Sequence, residues 1–380
     1  MISPNRISAS SHSACWFALV CLAGLGTSLA PAADRYFDAG VSTPLTWDQG
    51  TTANWSTSAA GGAYNTVWAA YDFGFFKGSA GTVAVSGGVG TNGLTFQSNG
   101  YVLSGGTITL GSPASGPALA VDASYTATIG SALNRAGGGP ATRKLGTGTL
   151  VFTGNTNFTA SYALAVNEGT LEIGSAGQID SGSYAGLLSI ANGATLKVNS
   201  SANNAITYTY GNTAFSGNLA KDNSGNLTLK RLTLSSTTGA QAFTMNAGTL
   251  TCSDWFIAGM GTGAAGTGKD ATITQTGGDI TVANLVNSSQ FQLANNGGTT
   301  TANFSGGSLM LDTFYTPNFS QRGIGNVTIS GGSVVTSKNS GGIGMGGQTG
   351  STANLYLDTG GTLVTTRISK GAGSANLYFN

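Results

Sequence analysis

The sequence has little charge. Only 8% of its 380 residues are Asp, Glu, Lys or Arg, and the formal net charge is +1. Nucleic acids and anionic membrane surfaces are bound through clusters of basic residues, so the composition argues against both as partners. Disordered chains are usually rich in charge and poor in apolar residues, whereas 40% of this chain is hydrophobic. This balance predicts a folded protein.

The first 33 residues differ from the rest and predict a signal peptide (residues 1–33). Arg6 supplies a positive charge before the apolar residues 14–29, and residues 30–33 offer small side chains for cleavage. The apolar run is too short and too interrupted by glycine to cross a bilayer well. We therefore expect export to the extracellular space or the outer cell surface, with no transmembrane segment in the mature chain.

Histidine and cysteine are scarce as well. The sequence has one histidine, His12, and three cysteines, Cys15, Cys21 and Cys252. Cleavage of the signal peptide leaves only Cys252, which excludes Ser–His–Asp and Cys–His catalysis and zinc sites built from histidine or paired cysteines. We expect Cys252 to be a small buried side chain. We also expect no cofactor and no metal ion.

Good helix formers are rare and glycine is abundant. The chain contains two glutamates, Glu168 and Glu172, and 7 prolines, but 61 glycines. Glycine without a strict three-residue period excludes collagen and indicates frequent tight turns. The residues between the glycines are mostly Thr, Val, Ile, Leu, Tyr and Phe, which favour strands. The composition predicts an all-β fold.

A glycine motif recurs through the second half of the chain. Gly248, Gly278, Gly307, Gly332 and Gly361 are separated by 25 to 30 residues, and each follows one short alternating strand and begins another. Short strands and glycine turns at such a period are typical of stacked coils. The inward positions are then alternating apolar residues: Leu150, Phe152, Leu171, Ile173, Ile273, Ile280, Phe304, Leu309, Val327, Ile329, Leu355 and Leu357.

The composition also divides the mature chain. Residues 34–135 are predicted to form an N-terminal cap and the first β coils, and residues 136–380 the β-solenoid repeats. The last repeat stops at Asn380 inside a coil, so we expect the sequence to be a truncated part of a longer protein. Trp47, Trp55 and Trp68 either form an aromatic cap over the first coil or offer a glycan-contact surface. The cap is the preferred interpretation, because terminal units of solenoids are usually atypical.

Residues 261–270 (GTGAAGTGKD) resemble phosphate-binding loops in their spacing. Such loops need a following helix whose N-terminal amides meet the phosphate. The alternation of Ala271-Thr-Ile-Thr predicts a strand instead, and Asp270 occupies the position of the hydroxyl that would hold Mg²⁺. We expect no nucleotide binding here.

Residues 143–175 carry a recognisable pattern. A Gly148-Thr-Leu strand, a Gly154-Asn turn, a second strand at 163–166 and an Asn167-Glu-Gly-Thr-Leu strand follow in order. This pattern resembles the autotransporter-associated β-strand repeat. The resemblance implies a right-handed, single-stranded parallel β-helix of the passenger type, exported and displayed on or shed from a bacterial surface.

Two functions remain open at this stage. The first is a secreted or cell-surface structural, adhesin-like protein that is not an enzyme, with a surface glycan or another cell-surface protein as its partner. The alternative is a carbohydrate-active β-helix, a polysaccharide lyase or glycoside hydrolase. For this alternative we expect Glu168 and Glu172 on one side of a strand, with Arg143 and Lys144 a coil away. Two carboxylates and a basic residue in a cleft would favour the enzyme, and a polar rod without a cleft would favour the adhesin.

Overall fold

The computed structural model describes residues 32–158, 163–207, 214–235, 239–261, 266–285 and 287–380. The predicted signal peptide therefore lies almost entirely outside the described residues. Residues 32–380 form one compact unit. Within its described part, regular structure consists of strands and a single 3-10 turn, Asp180–Gly182. The prediction of an all-β fold is confirmed.

The strands are short and numerous. In chain order they are β1 (Asp34–Phe37), β2 (Thr46–Trp47), β3 (Ala53–Trp55), β4 (Thr66–Val67), β5 (Asp72–Phe76), β6 (Thr82–Val85), β7 (Gly88–Phe96), β8 (Tyr101–Ser104), β9 (Thr107–Leu110), β10 (Ala118–Val121), β11 (Thr126–Ile129), β12 (Ala132–Arg135), β13 (Thr142–Leu145), β14 (Thr149–Phe152), β15 (Asn155–Asn157), β16 (Leu164–Val166), β17 (Thr170–Ser175), β18 (Gln178–Ile179), β19 (Ser183–Tyr184) and β20 (Leu188–Ile190). The remainder are β21 (Thr195–Ser200), β22 (Asn204–Ile206), β23 (Ala214–Phe215), β24 (Asn218–Lys221), β25 (Asn226–Ser235), β26 (Gln241–Met245), β27 (Thr249–Met260), β28 (Ala271–Gln275), β29 (Asp279–Val282), β30 (Gln290–Gln292), β31 (Thr299–Phe304), β32 (Ser308–Leu311), β33 (Ile324–Ile329), β34 (Val334–Ser337), β35 (Ile343–Met345), β36 (Thr352–Leu357), β37 (Thr362–Val364), β38 (Ile368–Lys370) and β39 (Ser374–Phe379).

Parallel pairing arranges these strands in three faces of a β-solenoid. The first face is a 14-stranded sheet that runs from β2 through β6 and β8 to β39. The second face contains β9, β12, β15, β29, β32, β34 and β37, and the third contains β1, β5, β10, β13, β16, β20 and β30. Strands β7, β25 and β27 bend from the second face into the third, which joins these two faces into one 21-stranded sheet.

The core is a set of apolar columns that run through successive coils. On the first face Leu103, Ile129, Phe152 and Ile173 are aligned by the strand register, and all are buried. Alternation sends every second side chain of a strand inward, so each coil adds its apolar residues to the same columns. Of the twelve inward positions predicted above, eleven are buried and Leu357 is partly buried against the core.

The repeated glycines stack at the corner between the first and second faces. Gly248, Gly278 and Gly307 immediately precede second-face strands, and all three have φ between +67° and +73°. A Cβ on Gly307 would overlap the carbonyl oxygen of Gly278 one coil away. The close approach of the backbones and the positive φ both require glycine here, which explains the period of the motif.

Long polar side chains enter the core beside the glycine turns. Lys144, Lys221 and Gln275 are buried, and each donates hydrogen bonds to main-chain carbonyl oxygens of neighbouring turns. Turn carbonyls that point inward have no strand partner, and an unpaired buried carbonyl is unfavourable. These three side chains satisfy them from inside the solenoid.

Three tryptophans form the centre of an aromatic cluster at the N-terminal end. Trp47, Trp55 and Trp68 are fully buried, with ring centroids 4.6 to 5.7 Å apart. The short antiparallel pair β3–β4 holds Trp55 there. The prediction that these tryptophans contact a glycan is wrong for this structure, because a buried ring has no face free for a sugar. Their burial agrees with the capping interpretation.

Three further predictions concern absences and boundaries. In the described parts of residues 32–380, no helix is long and apolar enough to cross a membrane. No group of three or more potential metal ligands occurs among the same residues. Parallel ladders cross the predicted boundary at residue 135, where β10 pairs with β13 and β12 with β15. The division there remains a prediction.

Candidate functional site

The corner between the second and third faces carries the longest and most variable loops. We call it the loop edge and define it by the segments that join second-face strands to third-face strands, which are residues 111–117, 136–141, 185–187, 283–289, 312–317, 338–342 and 365–367. Residue 286 in this set lies outside the described residues. Loops on a rigid scaffold are common places for binding residues.

An exposed apolar patch lies on the loop edge in the C-terminal half. Leu285, Phe314 and Tyr315 are 70%, 48% and 50% exposed, and the two aromatic rings pack edge to face at 5.0 Å. Asn339 on the next coil fixes this loop, since its Nδ2 donates to the carbonyl oxygens of Thr313 at 2.7 Å and Phe314 at 3.2 Å. The rings are therefore held outward by hydrogen bonds to their own backbone.

Trp255 lies at the same corner on an earlier coil. Its Nε1 donates to the carbonyl oxygen of Ser288 at 3.0 Å, and the Arg231 guanidinium stacks over the indole ring at 3.9 Å. Arg231 also pairs with the buried carboxylate of Asp254 at 2.6 Å. This charged network anchors the loop that carries Leu285, so the patch rests on an ordered base.

The N-terminal part of the loop edge contains a cleft beside Tyr71. Tyr71 is 40% exposed and precedes the third-face strand β5. Its ring lies against Gly90 and Gly111 on successive coils and lines cavities of about 420 Å³ and 260 Å³. Sequence analysis did not single out Tyr71, because the distinction between a cap ring and an exposed ring depends on which corner it reaches.

The carboxylates predicted for the enzymatic alternative lie elsewhere. Glu172 is on the first face, where Lys197 lies 3.5 Å from it and 3.3 Å from Asp222 two coils away. Glu168 lies in the turn before β17, so the prediction that both glutamates share one side of a strand is wrong. The turn glycine Gly169, with φ +59°, separates Glu168 from the strand.

The basic residues named with these glutamates also take different places. Lys144 does approach Glu168, but it points into the core and donates to the backbone of Glu168. The Arg143 Nη2 donates to the carbonyl oxygen of Gly116 at 3.3 Å. None of the three cavities found among the described residues is lined by Glu168, Glu172, Lys197 or Asp222. The charged cluster lies on a flat sheet.

The phosphate-loop resemblance and the lone cysteine resolve structurally. Residues 271–275 form strand β28, as predicted, while residues 262–265 of the preceding loop lie outside the described residues. Asp270 accepts a hydrogen bond from the Thr299 backbone at 2.7 Å. Cys252 is fully buried, which confirms its predicted place, and burial raises the pKa of its thiol far above the usual range.

The fold and the loop edge together define a passenger-type β-solenoid with an exposed binding corner. A stretch of 209 residues is 36% identical to the adhesin BmaC autotransporter of Brucella suis biovar 1 (strain 1330). The match covers 52% of this chain and 6% of that protein, so this chain spans a small part of its relative's length. No family model and no solved structure matches the chain. The resemblance predicted from residues 143–175, to passenger-type β-helix proteins, is confirmed.

Proposed function

We propose that the chain is an adhesin-like module, secreted or displayed on the outer cell surface, that binds its partner through the loop edge and carries out no chemistry. The observation that carries the proposal is the exposed patch of Leu285, Phe314 and Tyr315. Exposed apolar patches on monomeric proteins often mark interaction sites, and aromatic residues are enriched in such sites. Similarity to a protein named as an adhesin supports the same conclusion.

The first face offers a contrast that favours the loop edge. Its outward columns contain mainly Thr and Asn, and neighbouring coils join them in a ladder in which the Nδ2 of Asn376 donates to Asn354 and that of Asn354 to Asn326, both at 2.8 Å. Polar groups that are already paired with each other gain little from a partner. The face therefore supports the rod, and the loops provide the contacts.

The proposal is tested by measuring adhesion of the purified protein to cultured host cells and to immobilised cell-surface extracts. The double variant Phe314→Ser/Tyr315→Ser should bind at least tenfold more weakly, since it removes both exposed rings. Tyr125→Ser is the matched control, because Tyr125 is 36% exposed but lies between the third and first faces. Equal binding by the double variant and the control would contradict the assignment to the loop edge.

The carbohydrate-active alternative has one observation in its favour, the cluster of Glu172, Lys197 and Asp222. It is tested by incubating the protein with acidic and neutral polysaccharides and following new reducing ends and unsaturated products. Cleavage that disappears in Glu172→Gln and persists in Glu168→Gln would establish an enzyme. We expect no turnover, because the cluster is paired internally and lies on a flat face.

A further inference from the structure

Tyr71 separates two cavities at the N-terminal part of the loop edge. The larger, of about 420 Å³, lies between Tyr71, Asn92 and residues 111–113 and 136–138. The smaller, of about 260 Å³, lies on the coil below, beside Gln49 and Thr109. Ligand pockets usually occupy about 300–1,000 Å³, so the larger cavity has the size of a small-ligand site and the smaller one extends it.

The position of the Tyr71 ring is fixed by its surroundings. Its backbone has φ +66°, which is unusual for a bulky residue, and its N–H donates to the carbonyl oxygen of Gly90 at 2.9 Å. A Cβ on Gly90 or Gly111 would lie 3.1 Å and 2.8 Å from ring atoms of Tyr71. Unfavourable backbone conformations persist where the surrounding structure holds them, and they concentrate at binding sites.

Free polar groups surround the ring. Among the described residues, the side-chain amide of Asn92 and the hydroxyl of Tyr71 have no hydrogen-bond partner in the protein. The Gln49 Oε1 accepts from the Gly90 N–H at 3.2 Å, which leaves its NH₂ group free to donate. Ser112 Oγ donates to the Ala136 carbonyl oxygen at 2.8 Å and can still accept. The cleft thus offers both donors and acceptors.

The lining is uncharged. No Asp, Glu, Lys or Arg lines either cavity in the described part of the chain. An acidic ligand would leave its charge without a partner in such a site, which is unfavourable. A neutral ligand with an apolar face and several hydroxyl groups matches every feature of the cleft, because the C–H face of a sugar packs on an aromatic ring and amides bind its hydroxyls.

We infer that the Tyr71 cleft binds a neutral pyranose unit of a glycan, stacked on the Tyr71 ring and hydrogen-bonded to Asn92 and Gln49. The inference rests on the proposed adhesive function and names a partner chemistry for the N-terminal part of the loop edge. It is independent of the Phe314–Tyr315 patch, which is separated from Tyr71 by many coils. The glycines at 90 and 111 allow a ligand to approach the backbone closely.

The test uses the full chain and titrates it with neutral oligosaccharides of glucose, galactose and mannose, and with sialylated and uronate-containing oligosaccharides. Saturation-transfer NMR identifies the sugar protons that contact the protein, and calorimetry gives the affinity. Tyr71→Asn removes the ring but keeps a residue that tolerates positive φ. Tyr71→Phe keeps the ring, and Tyr125→Asn removes a comparably exposed tyrosine from another corner.

We expect a neutral oligosaccharide to bind, with transfer to one face of a single ring. Binding should weaken at least tenfold in Tyr71→Asn, weaken less in Tyr71→Phe and stay unchanged in Tyr125→Asn. The inference is overturned if no neutral oligosaccharide binds, if acidic ones bind better, or if Tyr71→Asn binds normally. A proline-rich peptide that displaces nothing and binds in place of sugars would also overturn it. Loss of cell adhesion in the Phe314/Tyr315 variant with no effect of Tyr71 would leave the proposed function intact.

Discussion

The Lys144 ammonium donates a hydrogen bond to the main-chain oxygen of Glu168, one coil further along the solenoid, at 3.0 Å. The same group donates to the carbonyl oxygens of Leu145 and Gly146 at 3.0 and 2.7 Å. The side chain occupies an inward column, in register between Leu119 and Val166. A cation thus closes a turn from inside the core, and its burial must affect its titration.

Stability should therefore depend on Lys144 at alkaline pH. Burial lowers its pKa to about 8, against the raising effect of the Glu168 carboxylate. The unfolded chain keeps the ordinary value near 10.5, so between these values the unfolded state holds more protons and the free energy of unfolding increases with pH. The gain is about 3 kcal/mol in full. Urea unfolding at pH 7.5 to 10 should show this increase, and Lys144→Met should reduce it.

Lys197→Met is the matched control for that experiment. Burial lowers the pKa of Lys197, but Glu172 and Asp222 outweigh this effect and the net shift is upward. Its removal should leave the alkaline increase in place. A variant lacking Lys144 that retains the whole increase would show that other groups cause it.

The glycine stack predicts a position-specific cost of adding a methyl group. Gly307→Ala should lower the free energy of unfolding by about 2 kcal/mol or more, because it adds strain at φ +71° and a clash with the Gly278 carbonyl oxygen. Gly350 has φ +84° with nothing within 4 Å of a Cβ. Gly350→Ala should cost only the backbone strain. Equal destabilisation of the two would contradict the stacking.

The asparagine ladder on the first face predicts a smaller effect. Asn354→Ala removes the hydrogen bonds to both Asn326 and Asn376. Because the ladder is partly exposed, the loss should be about 1 kcal/mol, measured by thermal and urea unfolding. Asn303 is exposed on the same face, and Asn303→Ala should change stability by less than about 0.5 kcal/mol. Similar losses in both variants would argue against a ladder.

The inward columns and the glycine turns could be predicted from the sequence, because strand alternation and the repeat period both appear in it directly. Lys144 could not, since Thr142 to Leu145 looks like a polar strand until its register with Leu119 is known. The exposed rings of Phe314 and Tyr315 could not either. Only the stacking of coils decides which corner a loop reaches, and that depends on pairings distant in sequence.

Tryptophan accessibility tests the corrected interpretation of the N-terminal aromatics. In the chain without residues 1–31, Trp47, Trp55 and Trp68 are buried and Trp255 is partly exposed. Iodide should quench only the emission from Trp255, and Trp255→Phe should leave fluorescence that iodide does not affect. Strong quenching in that variant would mean that the N-terminal rings are open to solvent and available to a ligand.

The stacking of coils is tested most directly by a distance between spin labels at Thr128→Cys and Thr328→Cys. The register places these outward positions in one first-face column, eight coils apart. At about 4.8 Å per coil their separation should be about 38 Å with a narrow distribution. Cys252 is buried and should remain unlabelled. A distribution spread over tens of Å, or a mean far from this value, would contradict a continuous solenoid.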